Sequence, residues 1–141
     1  YMERRIPTSS FQPPNFENKR YLDDAVKIAE EIVDVMRPDE ETRFKVCSGY
    51  VLFGIRRYLE NRGFAVEKVE ITGELQERVE KGFVEWCVEV GVPAEKLEDR
   101  RRFWAFLKWV AEKPKIREEL VKTGWRSWNT KWREKVFKTA E

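Results

Sequence analysis

Trp125, Trp128, Trp132 and Val136 recur at steps of three and four residues near the end of the chain. Arg126, Lys131, Arg133, Lys135 and Lys138 fill positions between and after them. On a helix this spacing gathers the indoles on one face and leaves the cations on the others. The chemistry that fits is recognition of a polyanion. Basic side chains neutralise phosphates and release counterions, and indole faces stack on unpaired bases. Such periodicity is first of all a packing signal, so the competing expectation is buried indoles with lysines solvated opposite. The two arrangements are compatible, because an outward basic face still meets phosphates. Trp125, beside Gly124, is the indole placed for easiest exposure. Arg100, Arg101 and Arg102 form the triple-basic run. Consecutive helical residues lie about 100° apart, so the three fan out rather than form one fork, although each guanidinium matches phosphate geometry. The candidate nucleic-acid-binding residues are therefore Arg100, Arg101, Arg102, Lys122, Trp125, Arg126, Lys131, Arg133 and Lys135.

The charge distribution points the same way. The whole chain is nearly neutral, at +2, but residues 1–99 hold 15 Lys and Arg against 21 acids, and residues 100–141 hold 13 against five. Five of the six tryptophans also lie in that basic part. An asymmetry of this size suggests interaction with nucleic acid or with an acidic surface.

Other chemistries lose their residues. There is no histidine, which removes Ser-His-Asp and Cys-His catalysis and the usual general base near neutral pH. Cys47 and Cys87 are the only cysteines, too few for a four-cysteine zinc site or an iron–sulfur cluster within one chain. The seven glycines are too dispersed for a phosphate-cradling loop. Asp23–Asp24, Glu67–Glu70 and Glu74–Glu77–Glu80 are the only groupings suited to Mg²⁺ on a nuclease, and charge stripes on helices are usually solvated faces. Ser48 beside Cys47 has no fixed base, and a helix-capping role accounts for it. No catalytic residue, metal or cofactor is assigned, and the chemistry leans away from an enzyme.

Residues 82–103 loosely resemble a helix-turn-helix, with Cys87 four residues before the turn glycine Gly91 and Leu97 six after it. The second helix of that motif would open on Glu95, Glu98 and Asp99, which phosphates repel, and Arg100 stands where an apolar residue is expected.

The elements that must position these residues follow from periodicity and punctuation. At 141 residues the chain is sized for one domain with its own core. Residues 1–19 contain Pro7, Pro13 and Pro14 and read as an extended arm pinned by Phe11 and Phe16, leaving 20–141 as a single α-rich globular domain. Helices are expected at Tyr21–Met36, Glu74–Val90 and Ala94–Glu112. A short one near Ile116–Leu120 is closed by Gly124, and a last one is capped by Ser127 or Asn129 and reaches Thr139. Between the first two lies an ambiguous stretch. Pro38 followed by Asp39, Glu40 and Glu41 favours a helix from Asp39 to Arg62 ending at Gly63. The rival is a β-α-β unit, with a strand at Phe44–Cys47, a helix at Gly49–Asn61 capped by Ser48 and a strand within 64–72. The long helix is preferred, and the strand near 64–72 then needs the arm or another subunit as its partner. The fold expected is an α-rich α+β domain of five to six helices with one or two short strands.

A charged fraction of 38% with two glutamines is the pattern of proteins from hot environments. The expected setting is cytoplasmic: no apolar signal-like stretch occurs near the start, and an uncharged run such as Val46–Ile55 is too short to cross a bilayer. The two cysteines are expected as buried thiols, with a Cys47–Cys87 bridge as the alternative. The leading functional expectation is a non-enzymatic protein that binds DNA or RNA through its basic, Trp-rich C-terminal third. The alternative is an assembly subunit, engaging a protein partner or further copies of itself through acidic and basic surfaces, and a metal-dependent nuclease comes third.

Overall fold

Tyr21, Ala25, Ala29 and Val33 recur every four residues and form the buried stripe of helix α1 (Arg20–Met36) in the computed structural model, which describes residues 1–98 and 102–139. Beside it Ile28 and Ile32 are half-buried, and Val35 and Met36 stand exposed at the helix end. Phe11 and Phe16 do anchor the N-terminal segment, stacking on Tyr21 at centroid distances of 5.1 and 5.5 Å. That segment is folded rather than extended. Thr8–Phe11 make a 3-10 turn, further turns lead into α1, and the buried Ser10 hydroxyl donates to Asp24.

The preferred long helix from Asp39 to Arg62 does not form. The Asp39 carboxylate accepts hydrogen bonds from the Glu41 amide at 3.1 Å and the Thr42 hydroxyl at 3.0 Å, closing a turn where a helical first turn was expected. The rival reading is the correct one. Strand β1 (Arg43–Cys47) leads through a 3-10 turn at Tyr50–Leu52 into α2 (Phe53–Asn61) and then β2 (Ala65–Val69). The two strands pair in parallel, with Phe44 opposite Val66 and Val46 opposite Lys68. The partner of the second strand is thus β1, not the arm or another subunit. Ser48 makes no side-chain cap; Gly49 precedes the 3-10 turn. Arg56 instead fixes the loop by donating to the Cys47 carbonyl at 2.6 Å. Val33, Val46 and Leu59 form the core, lined by Phe44, Ile55, Tyr58 and Phe64. Gly63, at φ 88°, makes the turn from α2 into β2 that a side chain would strain.

The chain divides into two compact units, with the boundary between Ile71 and Thr72. The second opens with α3 (Glu74–Glu89), whose C-terminal half buries Cys87 beside Trp86 and Val90. Gly91 ends it at φ 104°, as its position predicts. The expected helix from Ala94 is instead a 3-10 turn at Ala94–Leu97, followed beyond residues 99–101 by α4 (Arg102–Glu112). The second helix of a helix-turn-helix therefore does not start at the turn. Pro114 opens a single helical turn, α5 (Pro114–Arg117), a position where its missing N–H costs nothing. Residues 126–139 are helical, with a wide π turn at Trp128–Trp132 before α6 (Arg133–Thr139). Neither Ser127 nor Asn129 caps this segment; the Asn129 amide donates back to the Thr123 carbonyl at 3.0 Å. Cys87, Val92, Leu97, Trp109, Val110, Trp128 and Val136 make the core of this unit. Among the described residues the fold is α-rich α+β, with six α-helices and one two-stranded parallel sheet, and no helix is long and apolar enough to cross a membrane. Both cysteines are free thiols, Cys87 buried and Cys47 half-buried.

Candidate nucleic-acid interface

The charge split lies inside the second unit. Residues 72–99 contain three basic and eight acidic side chains, against 13 and five in residues 100–141. What the acids of the basic stretch do decides which cations remain available. Glu112 accepts from Lys96 and Arg117, each at 2.9 Å, and these donors hold its carboxyl below the usual range. Glu118 accepts from Arg133 at 2.7 Å and from the indole of buried Trp128 at 3.0 Å. Glu134 is bonded to Lys138, which lowers its pKa in the same way. These pairs engage Arg117, Arg133 and Lys138. Arg126, Lys131 and Lys135 are exposed and have no carboxylate partner among the described residues.

The tryptophan stripe separates into two roles. Trp128 and Val136 are buried, at 5% and 2% exposure, while Trp132 is half-buried and Trp125 is 53% exposed. Across the π turn spanning Trp128–Trp132, Trp128 and Val136 still enter the same core, and Trp132 packs partly against it. Trp132 keeps only part of its ring at the surface. Its ring meets Phe103 at 5.1 Å and Trp104 at 5.5 Å, both edge to face, and Phe103 meets Trp104 at 5.4 Å. The ammonium of Lys131 lies 4.5 Å from the Trp132 ring centroid and that of Lys135 lies 5.4 Å from it, within cation–π range. Phe103 and Trp104 are 50% and 53% exposed. Periodicity along α4 assigns both to the core. What leaves them exposed is their place in the first turn of α4, whereas the buried Trp109 and Val110 lie near its end. No sequence signal separates the two outcomes, because both sets fit a helical stripe.

The remaining candidates are placed as follows. Lys122 sits 5.8 Å from the Trp125 ring, and partial burial of its ammonium pushes its pKa down. Arg102 is half-buried and donates to the Leu97 carbonyl at 3.2 Å, closing the 3-10 turn. Arg133 braces Glu118 and lies over the Phe137 ring at 4.4 Å. Arg100 and Arg101 lie outside the described residues. Of the candidates, the structure gathers Lys131 and Lys135 on Trp132, with Phe103 and Trp104 adjoining, while Arg102 and Arg133 bond to the Leu97 carbonyl and to Glu118.

Among the described residues no group of three or more Asp, Glu or Cys could hold a metal ion. Glu74, Glu77 and Glu80 lie on the exposed first turns of α3. No protein-family model matches the chain, and no curated protein sequence or solved structure matches it either.

Proposed function

We propose that this is a non-enzymatic nucleic-acid-binding protein whose C-terminal third neutralises phosphates. The observation that carries the reading is the trio Arg126, Lys131 and Lys135: exposed, without carboxylate partners among the described residues, and with both lysine ammoniums held against Trp132. Neutralising phosphates displaces condensed cations, so affinity falls steeply with salt. The test is a fluorescence-anisotropy titration with labelled DNA and RNA at low ionic strength. Saturable binding that weakens linearly in log salt supports the reading, and an absence of binding at low salt ends it.

A second reading has its own observation. Leu75, Val79 and Phe83 form a stripe on α3 that stays exposed, with Glu74, Glu77 and Glu80 nearby. A monomer rarely leaves such a row uncovered. An assembly subunit using this acidic, apolar surface would sediment as a concentration-dependent oligomer and show no affinity for nucleic acid.

A further inference from the structure

We infer that the exposed rings of Phe103 and Trp104, packed on Trp132, form a base-stacking platform, so that the ligand is an unpaired strand of DNA or RNA rather than a duplex; this rests on the phosphate-binding reading above. Three aromatic rings meet edge to face at 5.1 to 5.5 Å, so each contact sets the edge of one ring against the flat face of another, and the three contacts take at most three of the six faces. Phe103 and Trp104 keep half of their surface in solvent. Bases in a duplex are already stacked on their neighbours and offer no free face, whereas every base of a single strand does.

The charge beside the rings selects the ligand. Protein–protein interfaces favour aromatic residues but are depleted in lysine. Here the cations against Trp132 are both lysines, Lys131 and Lys135, and the intervening Glu134 is bonded to Lys138. Lysines beside exposed aromatic rings suit a strand whose backbone runs past the ammoniums while its bases turn onto the rings.

The experiment compares an oligo(dT) and an oligo(U) with a duplex of equal length, using the intact chain, Trp104→Ala, Phe103→Ala and Trp104→Phe. Circular dichroism confirms that each variant is folded, and Trp104→Phe keeps an aromatic face should the alanine variant lose helix. The wild type is expected to bind the single strands more tightly than the duplex, with quenching of tryptophan fluorescence. Trp104→Ala is expected to weaken single-strand affinity on the order of 5- to 150-fold, with duplex affinity unchanged and Trp104→Phe retaining most of the binding. Equal affinity for duplex and single strand, unaffected by Trp104→Ala, overturns the stacking platform while leaving phosphate binding intact. Absence of binding to every probe overturns the platform together with the reading beneath it. Self-association abolished by Trp104→Ala, in a chain that binds no nucleic acid, assigns the cluster to a protein interface and also overturns it.

Discussion

The indole of Trp128 donates to a carboxylate oxygen of Glu118 at 3.0 Å, and Arg133 closes on the same oxygen at 2.7 Å. The buried ring thus satisfies its one polar group at the edge of the core, and the acid that accepts it also withdraws a guanidinium from the basic surface.

Removing that acceptor isolates the indole N–H. Glu118→Ala is expected to destabilise the second unit by about 1–3 kcal/mol, the cost of an unpaired buried donor. Glu118→Gln keeps an acceptor and is expected to cost less. All six tryptophans lie in residues 72–141, so urea unfolding followed by tryptophan fluorescence reports this unit selectively. An unchanged midpoint in Glu118→Ala contradicts the assignment.

Acid stability follows from two carboxylates. Hydrogen bonds from Lys96 and Arg117 hold Glu112 below its ordinary pKa, and a bond from Lys138 does the same for Glu134. A depressed folded-state pKa contributes stability above the unfolded carboxylate value, about 4.3, and loses it as pH falls through the folded value. The fluorescence midpoint should therefore stay level from neutrality to about pH 5 and fall below that. Both pairs are exposed and screened, so the decline they cause is modest, and Glu112→Gln should make it shallower.

The two thiols should differ in reactivity. Burial raises the Cys87 pKa, with Arg102 opposing in part, whereas Cys47 is half-buried. Native alkylation near pH 8, read by mass spectrometry, should modify Cys47 first and reach Cys87 at a comparable rate only in urea, because the thiolate is the reactive form. Equal native labelling contradicts this picture.

Close helix packing in the first unit rests on Gly54. A methyl group there would sit 3.0 Å from a Val26 methyl and 3.8 Å from the Leu22 carbonyl oxygen. Gly54→Val should cost about 1–3 kcal/mol by overpacking, lowering the thermal midpoint in far-UV circular dichroism.

Long, capped and strongly periodic elements were legible from residues alone. Helix α1 and the end of α3 at Gly91 follow from apolar spacing and a glycine. The stretch after Pro38 was not, because Asp39, Glu40 and Glu41 suit a helix N-terminus and a turn equally. The hydrogen bonds that the Asp39 carboxylate accepts from the Glu41 amide and the Thr42 hydroxyl decide for the turn. Within the candidate site, exposure of Trp125 matches its place beside Gly124, but Phe103 and Trp104 carry no mark in the sequence. Which part of α4 packs inward depends on contacts with Val92, Leu97, Trp128 and Val136, the last two distant along the chain. The roles of Arg102 and Arg133 were hidden for the same reason: their acceptors, the Leu97 carbonyl and Glu118, are fixed only by the folded backbone.

On the proposed function, Arg126, Lys131 and Lys135, which have no carboxylate partner among the described residues, bind phosphates, and the slope of log affinity against log salt measures this. The wild type should give a line of negative slope on single-stranded DNA, and replacing Arg126, Lys131 and Lys135 together by alanine should make that slope shallower by roughly 0.7 for each phosphate contact removed. Absence of low-salt binding, or a triple variant with wild-type affinity and slope, contradicts the account.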